Sequence, residues 1–117
     1  MKIRKNLELK VGGKRIVIGG VKEVRGLGVV KGLMFSKKEN SSPLLFNIKS
    51  SLHSFFVSFD FLVLWLDESN NVVDKKIVNP FRFHVNSSKN YAKILEIPIN
   101  RRYSKVVKLV VGEFRKV

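Results

Sequence analysis

The chain opens on a broken alternation. Ile3, Leu7, Leu9 and Val11 share one parity, with polar or charged residues between them. Gly12-Gly13 follows, and then a second apolar run, Ile16-Val17-Ile18. Two β-type runs on either side of a two-glycine turn predict a hairpin. Gly19-Gly20 interrupts the second run, and residues 21–25 either continue the strand or bulge it. Residues 26–34 carry three glycines, each costing a helix about 1 kcal/mol against alanine. Leu27, Val30 and Leu33 still recur at a three-residue spacing that allows one or two helical turns. Residues 37–42 are a polar loop closed by Pro43.

The middle of the chain is its most apolar part. Residues 44–49 form a strand candidate, and residues 54–67 are rich in Phe, Val and Leu, apolar at every position from 61 to 66. That pattern fits a strand covered on both faces. A helix of the same length competes, and the aromatic and β-branched content favours the strand. Residues 68–71 form a turn, and residues 72–79 resume a strand that stops at Pro80, so 54–79 reads as a long central hairpin. Residues 81–90 are irregular. In 91–99, Tyr91, Lys93, Leu95 and Ile97 alternate with Ala92, Ile94 and Glu96, ending at Pro98. Residues 100–109 predict a short basic helix, with Tyr103, Val106, Val107 and Val110 at helical spacing, and the last residues read as a final strand.

About eight short β segments without repeats or linkers predict one domain over residues 1–117. It is mainly β, an antiparallel sandwich or barrel-like fold of jelly-roll type with one or two short helices. A chain of 117 residues can bury a hydrophobic core without staples. No cysteine is present, which excludes disulfides, zinc–thiolate sites and cysteine nucleophiles and fits a reducing cytoplasm. The charged N-terminus carries no signal-peptide pattern, and the longest apolar stretch, 55–66, is too short to span a bilayer. The Asn-Ser-Ser triplets at 40–42 and 86–88 read as loop composition rather than glycosylation sites.

Charge changes the picture more than composition does. The net charge is +14, and its distribution is uneven: residues 1–38 and 75–117 each carry +9, whereas 39–74 carry −4. With 9 acids against 23 bases, ion pairing within the chain cannot absorb the excess, so the field attracts external anions.

Three features occur in a fixed order: KGLMF at 31–35; HSFFVSFDFLVLWLD at 53–67 with Val72-Val73 after it; and ILEIP at 94–98 with VGEF at 111–114. This order resembles a family of small archaeal and bacterial proteins known as domain of unknown function 192, over roughly residues 14–117. Gly32, Leu33 and Met34 match its GLM element, and Phe56 and Phe59 its aromatic positions. Asp67, Val72 and Val73 match its strand end and valine pair; Leu95, Glu96 and Pro98 its late strand; and Gly112 its terminal glycine, with Glu113 in place of Asp. Val57, Asp60 and Leu62 depart from the family's usual Met, Pro and Asp, and Ile99-Asn100 stand where it has a glycine. An activity carried by that family Asp would be missing here. The resemblance implies a jelly-roll-type sandwich and no established activity.

Candidate chemistry is sparse. His53 and His84 are the only histidines, 31 residues apart, with no short-spaced ligand motif, so the reading is ordinary histidines, no metal and no cofactor. Strand parity puts Glu96 on the face of Ile94 and Pro98, opposite Leu95 and Ile97. A carboxyl there has a raised pKa if buried and would suit a general acid. The simpler reading is a structural Glu bonded to backbone or to Arg82. A glycosidase-type pair would need Asp60 or Asp67 beside it. No nucleophile elbow or phosphate-binding glycine loop occurs, so no catalytic residues are assigned. Residues 79–85 interleave aromatic and basic groups, and residues 100–108 add four cations and Tyr103. Both suit stacking on bases and neutralising phosphates. The sequence therefore favours a non-enzymatic binding or accessory module. Its candidate anion or nucleic-acid contacts are Arg82, Arg101, Arg102, Lys105 and Lys108. The alternatives are a single-stranded nucleic-acid-binding module and a small-ligand or carbohydrate pocket near His53 and Glu96 with a weak enzymatic activity. Exposed strand edges leave open whether the central hairpin protects itself or pairs across a dimer.

Overall fold

A computed structural model describes residues 3–24, 42–46, 60–79, 87 and 89–112. Strand β1 (Ile3–Val11) turns through Gly12-Gly13 into β2 (Lys14–Val24). Both turn glycines take positive φ, +54° and +85°, the geometry whose twist matches that of a two-residue hairpin. Pairing runs Val11 with Lys14, Leu9 with Ile16 and Leu7 with Ile18. Beyond these, Gly19 and Gly20 stand against the single residue Asn6 before pairing resumes at Lys5 and Val21. Gly20, at φ +72°, makes this bulge possible, and β2 is one bulged strand rather than two.

Four further strands complete the sheet: β3 (Leu44–Phe46), β4 (Phe61–Leu66), β5 (Val72–Val78) and β6 (Lys93–Pro98). Helix α1 (Ser104–Val111) follows them. The strand order is β1-β2-β3-β6-β4-β5. The first and last strands of that order meet at one point, where Lys10 bridges to Asn71 and its N–H donates to the Asn70 carbonyl at 3.0 Å. The sheet is thus curled back on itself, and the mainly-β, barrel-like part of the expectation holds. All six described strands join one sheet. The expected antiparallel pairing needs one correction, because β2 and β3 run parallel, with Lys22 opposite Leu44. A parallel pair requires a crossover of a dozen or more residues, and nineteen residues separate Val24 from Leu44.

The period-2 alternation of β4 divides the core. Leu62, Leu64 and Leu66 point to the enclosed face, together with Leu7, Leu9, Ile18, Leu45, Leu95 and Ile97, and α1 adds Val107 and Val110. Phe61, Val63 and Trp65 point to the outer face with Leu44, Phe46, Val78 and Ile94. All six β4 residues are buried, as a strand covered on both faces requires. The β4–β5 connection is the expected turn. Asp67 accepts hydrogen bonds from Ser69 N, Asn71 N and Asn71 Nδ2, each at 2.9 Å. The bonds from Asn71, side chain first, are the main reason its carboxyl is held below the ordinary carboxylate range.

The predicted helix at 100–109 is present, shifted to 104–111 because residues 101–103 form a turn ahead of it. Residues 26–34, the segments 47–59 and 80–86, and the final strand read at the C-terminus lie outside the described residues.

Candidate functional site

Helix α1 is fastened to the sheet at both ends. At its start, Asn100 Oδ1 accepts the Tyr103 N–H at 3.1 Å, closing the lead-in turn in the manner of an N-cap. Tyr103, 4% exposed, donates its hydroxyl hydrogen to the Gly19 carbonyl at 3.2 Å. A Cβ on Gly20 would lie 3.0 Å from the Tyr103 hydroxyl. The bulge in β2 is therefore the socket for Tyr103, and a side chain at Gly20 would both crowd that hydroxyl and sit on a left-handed backbone. At the other end, Lys75 of β5 donates from Nζ to the Val110 carbonyl at 3.1 Å, placing a cation at the negative end of the helix. The helix thus spans the enclosed face from β2 to β5, with Val107 and Val110 inward.

What this fastening presents outward is basic. Arg101, Arg102, Lys105 and Lys108 are all exposed, along with Ser104 and Leu109. Lys105 and Lys108, three residues apart, fall along one face of α1, and Arg101 and Arg102 lie in the turn that leads into it. The Arg102 guanidinium lies 5.5 Å from the centre of the Tyr103 ring, which steadies it at the head of the helix. No acid occurs anywhere from residue 97 to 112. No described residue forms an ion pair with these four cations. The ion pairs among the described residues, Lys5–Glu23 at 3.1 Å and Arg15–Glu8 at 3.6 Å, lie on the β1–β2 hairpin. Four of the five candidate anion contacts thus lie exposed on α1 and on the turn that leads into it. The fifth, Arg82, lies outside the described residues, as do His53 and His84.

Glu96 sits where parity placed it. It lies opposite Leu44 of β3 and Val63 of β4, both members of the outer apolar cluster, and is 4% exposed. Burial pushes its pKa up to about 8, so the carboxyl is largely protonated at neutral pH. The anticipated raised pKa is present, on a side chain set among the buried residues of the outer face. The carboxylate pair does not form: Asp60 and Asp67 flank β4 three and four residues from Val63, the position opposite Glu96. Trp65 Nε1, on the same outer face, is buried without a hydrogen-bond partner among the described residues. No described group of three His, Asp or Glu residues could hold a metal ion.

A shallow, open groove of about 400 Å³ lies beside the β4–β5 turn, lined by Asp67, Glu68, Ser69, Asn90, Tyr91 and Ala92. Tyr91 is set edge-on to Trp65, ring centres 6.5 Å apart. Glu96 does not line the groove. Among the described residues, no helix is long and apolar enough to cross a membrane.

Sequence reading missed the residues that aim the basic face. Asn100 carried a usable signal, an Asn three residues ahead of a helical Tyr. Lys75 carried none, because its contact joins residues 35 apart in the chain.

No protein-family model matches the chain, and no curated protein matches it. A crystal structure at 1.22 Å resolution of a protein of unknown function from Novosphingobium aromaticivorans has a similar fold. Its TM-score is 0.67 at 13% identity, covering 89% of this chain and 79% of that one. At that identity the likeness concerns the fold alone.

Proposed function

We propose that this chain is a non-enzymatic binding module that takes a polyanion, single-stranded nucleic acid foremost, on the outward face of α1. The observation that carries the reading is the uncompensated helix. Arg101 and Arg102 stand at its positive end, where the dipole disfavours cations, and Lys105 lies near like charges on either side. Like-charge pairs at helical spacing destabilise by about 0.2–0.5 kcal/mol each. A surface arranged only for folding would place acids there. An anion bound along α1 would relieve this repulsion. Arg82 and the aromatic–basic stretch 79–85 belong to the same proposal on sequence grounds, whereas Tyr103, buried in its socket, offers no face on which a base could stack.

Kinship with domain of unknown function 192, and with it a jelly-roll-type sandwich, is part of this proposal. Its support is the fall of the motif residues on element boundaries: Asp67 just after β4, Val72 and Val73 opening β5, and Pro98 closing β6. A second layer would lie over the outer face of β3, β6 and β4, which is buried. A cytoplasmic setting belongs here too, supported by the absence of cysteine.

The test is fluorescence anisotropy with labelled mixed-sequence single-stranded RNA and DNA. The double variants Arg101→Glu/Arg102→Glu and Lys105→Glu/Lys108→Glu, on exposed positions, should each fold normally and bind at least about tenfold more weakly. Unchanged affinity in both would overturn the reading.

A further inference from the structure

We infer that Ser104 is a phosphorylation site, written by a protein kinase that reads Arg101 and Arg102, and that its phosphate closes the cationic face of α1 to a polyanion. The loss of polyanion binding rests on the binding mode proposed above, whereas the modification itself does not. Among the serines of the chain, Ser104 alone has an arginine within the three residues before it, and it has two, at −3 and −2. The chain has no threonine. Both arginines and the serine are exposed. The Ser104 hydroxyl donates to the Arg101 carbonyl at 3.3 Å, a surface contact longer than an ordinary hydroxyl bond and readily given up.

A kinase whose substrate groove is lined with acids takes such arginines through charge-assisted, two-pronged hydrogen bonds, and charge pattern is one way kinases tell substrates apart. No acid occurs from residue 97 to 112 to repel such a groove. In the transfer, the bond from the γ-phosphorus of ATP to its bridging oxygen breaks and the bond from Ser104 Oγ to that phosphorus forms. The hydroxyl proton passes to the kinase's aspartate, and ADP leaves.

The phosphate arrives where the helix lacks an anion. Ser104 is the first residue of α1, whose first turn holds no acid and whose cap residue, Tyr103, gives no side-chain hydrogen bond. A negative group there meets the positive end of the helix dipole. Lys108 lies four residues on and neighbours Ser104 on the helix surface, with the anion ahead of the cation, the favourable order. Arg102 is already steadied at the head of the helix by the Tyr103 ring. A phosphoserine carries a charge of about −1.5 to −2 and three acceptor oxygens. It therefore offsets about two of the four cations. A polyanion then meets a nearly neutral surface with a like charge in its midst.

The experiment treats the whole folded chain with ATP and a serine kinase selective for basic substrates. It reads the product by mass spectrometry, thermal unfolding and anisotropy with single-stranded RNA. Phosphate should enter at Ser104, and not at position 104 of Ser104→Ala or at Ser104 of Arg101→Gln/Arg102→Gln, both with wild-type circular dichroism spectra. The phosphorylated chain should unfold about 2–4 °C higher at low salt, a gain that about 1 M salt removes. It should bind RNA at least about tenfold more weakly, with a salt slope smaller by about 1.4, the equivalent of two phosphate contacts. Ser104→Ala should bind RNA as wild type does, with or without kinase treatment. No phosphate on Ser104, or a phosphorylated chain that unfolds and binds like the untreated one, overturns the inference. An untreated chain that fails to bind RNA overturns the binding mode proposed above instead, and incorporation and unfolding still decide the modification.

Discussion

Glu96 is the residue whose chemistry departs furthest from its ordinary state. In the unfolded chain its carboxyl titrates near 4.5, and in the folded chain burial moves it to about 8. Between those values the folded protein holds a proton that the unfolded chain releases, so stability is greatest below about pH 4.5. It falls as the pH rises towards 8 and is level above that. Glu96→Gln, neutral and of the same size, should match wild type in urea unfolding at pH 4.5. By pH 9 it should be more stable on the order of 4 kcal/mol, at about 1.4 kcal/mol per pKa unit. Equal pH dependence in the two proteins would show that Glu96 ionises freely. The face of Glu96 was legible in the sequence because strand parity is local. Its burial was not, because that depends on Leu44 and Val63, brought alongside by pairing between distant segments. At Gly20, alanine would meet both a left-handed backbone and the Tyr103 hydroxyl. Gly20→Ala should lower stability by about 1–3 kcal/mol in the same unfolding assay.

The elements themselves were readable wherever a single physical signal governed them. Two adjacent glycines set the β1–β2 turn, an unbroken apolar run marked β4 as covered on both faces, and the spacing of Val106, Val107 and Val110 marked α1. The bulge in β2 was visible as an interruption, but its purpose was not, since the socket at Gly19-Gly20 has meaning only once Tyr103, more than 80 residues later, is seated in it. The parallel pairing of β2 with β3 left no local trace. Helix α1 is short and internally repulsive, so it depends on its fastenings. Removing the acceptor in Asn100→Ala should cost about 1 kcal/mol in thermal or urea unfolding. It should also weaken polyanion binding by loosening the turn that carries Arg101 and Arg102. Unchanged stability would mean the Tyr103 hydroxyl and Lys75 hold the helix without it.

Across the whole molecule, net charge and its location have to be separated. The total of +14 and the two basic thirds were plain in the sequence, but a diffuse positive field and a built cationic face give the same count. The fold separates them by turning the valines of α1 inward and four cations outward, while the ion pairs resolved on β1–β2 engage Glu8 and Glu23. Counterion release distinguishes the two cases in solution, because each phosphate neutralised on a single strand contributes about 0.7 to the slope of log affinity against log salt. The decisive measurement is that slope for single-stranded RNA, in wild type and in a variant with Arg101, Arg102, Lys105 and Lys108 all changed to Gln. A built face predicts a wild-type slope about 3 units steeper than that of the variant. Equal slopes, or no wild-type binding at low salt, would contradict it.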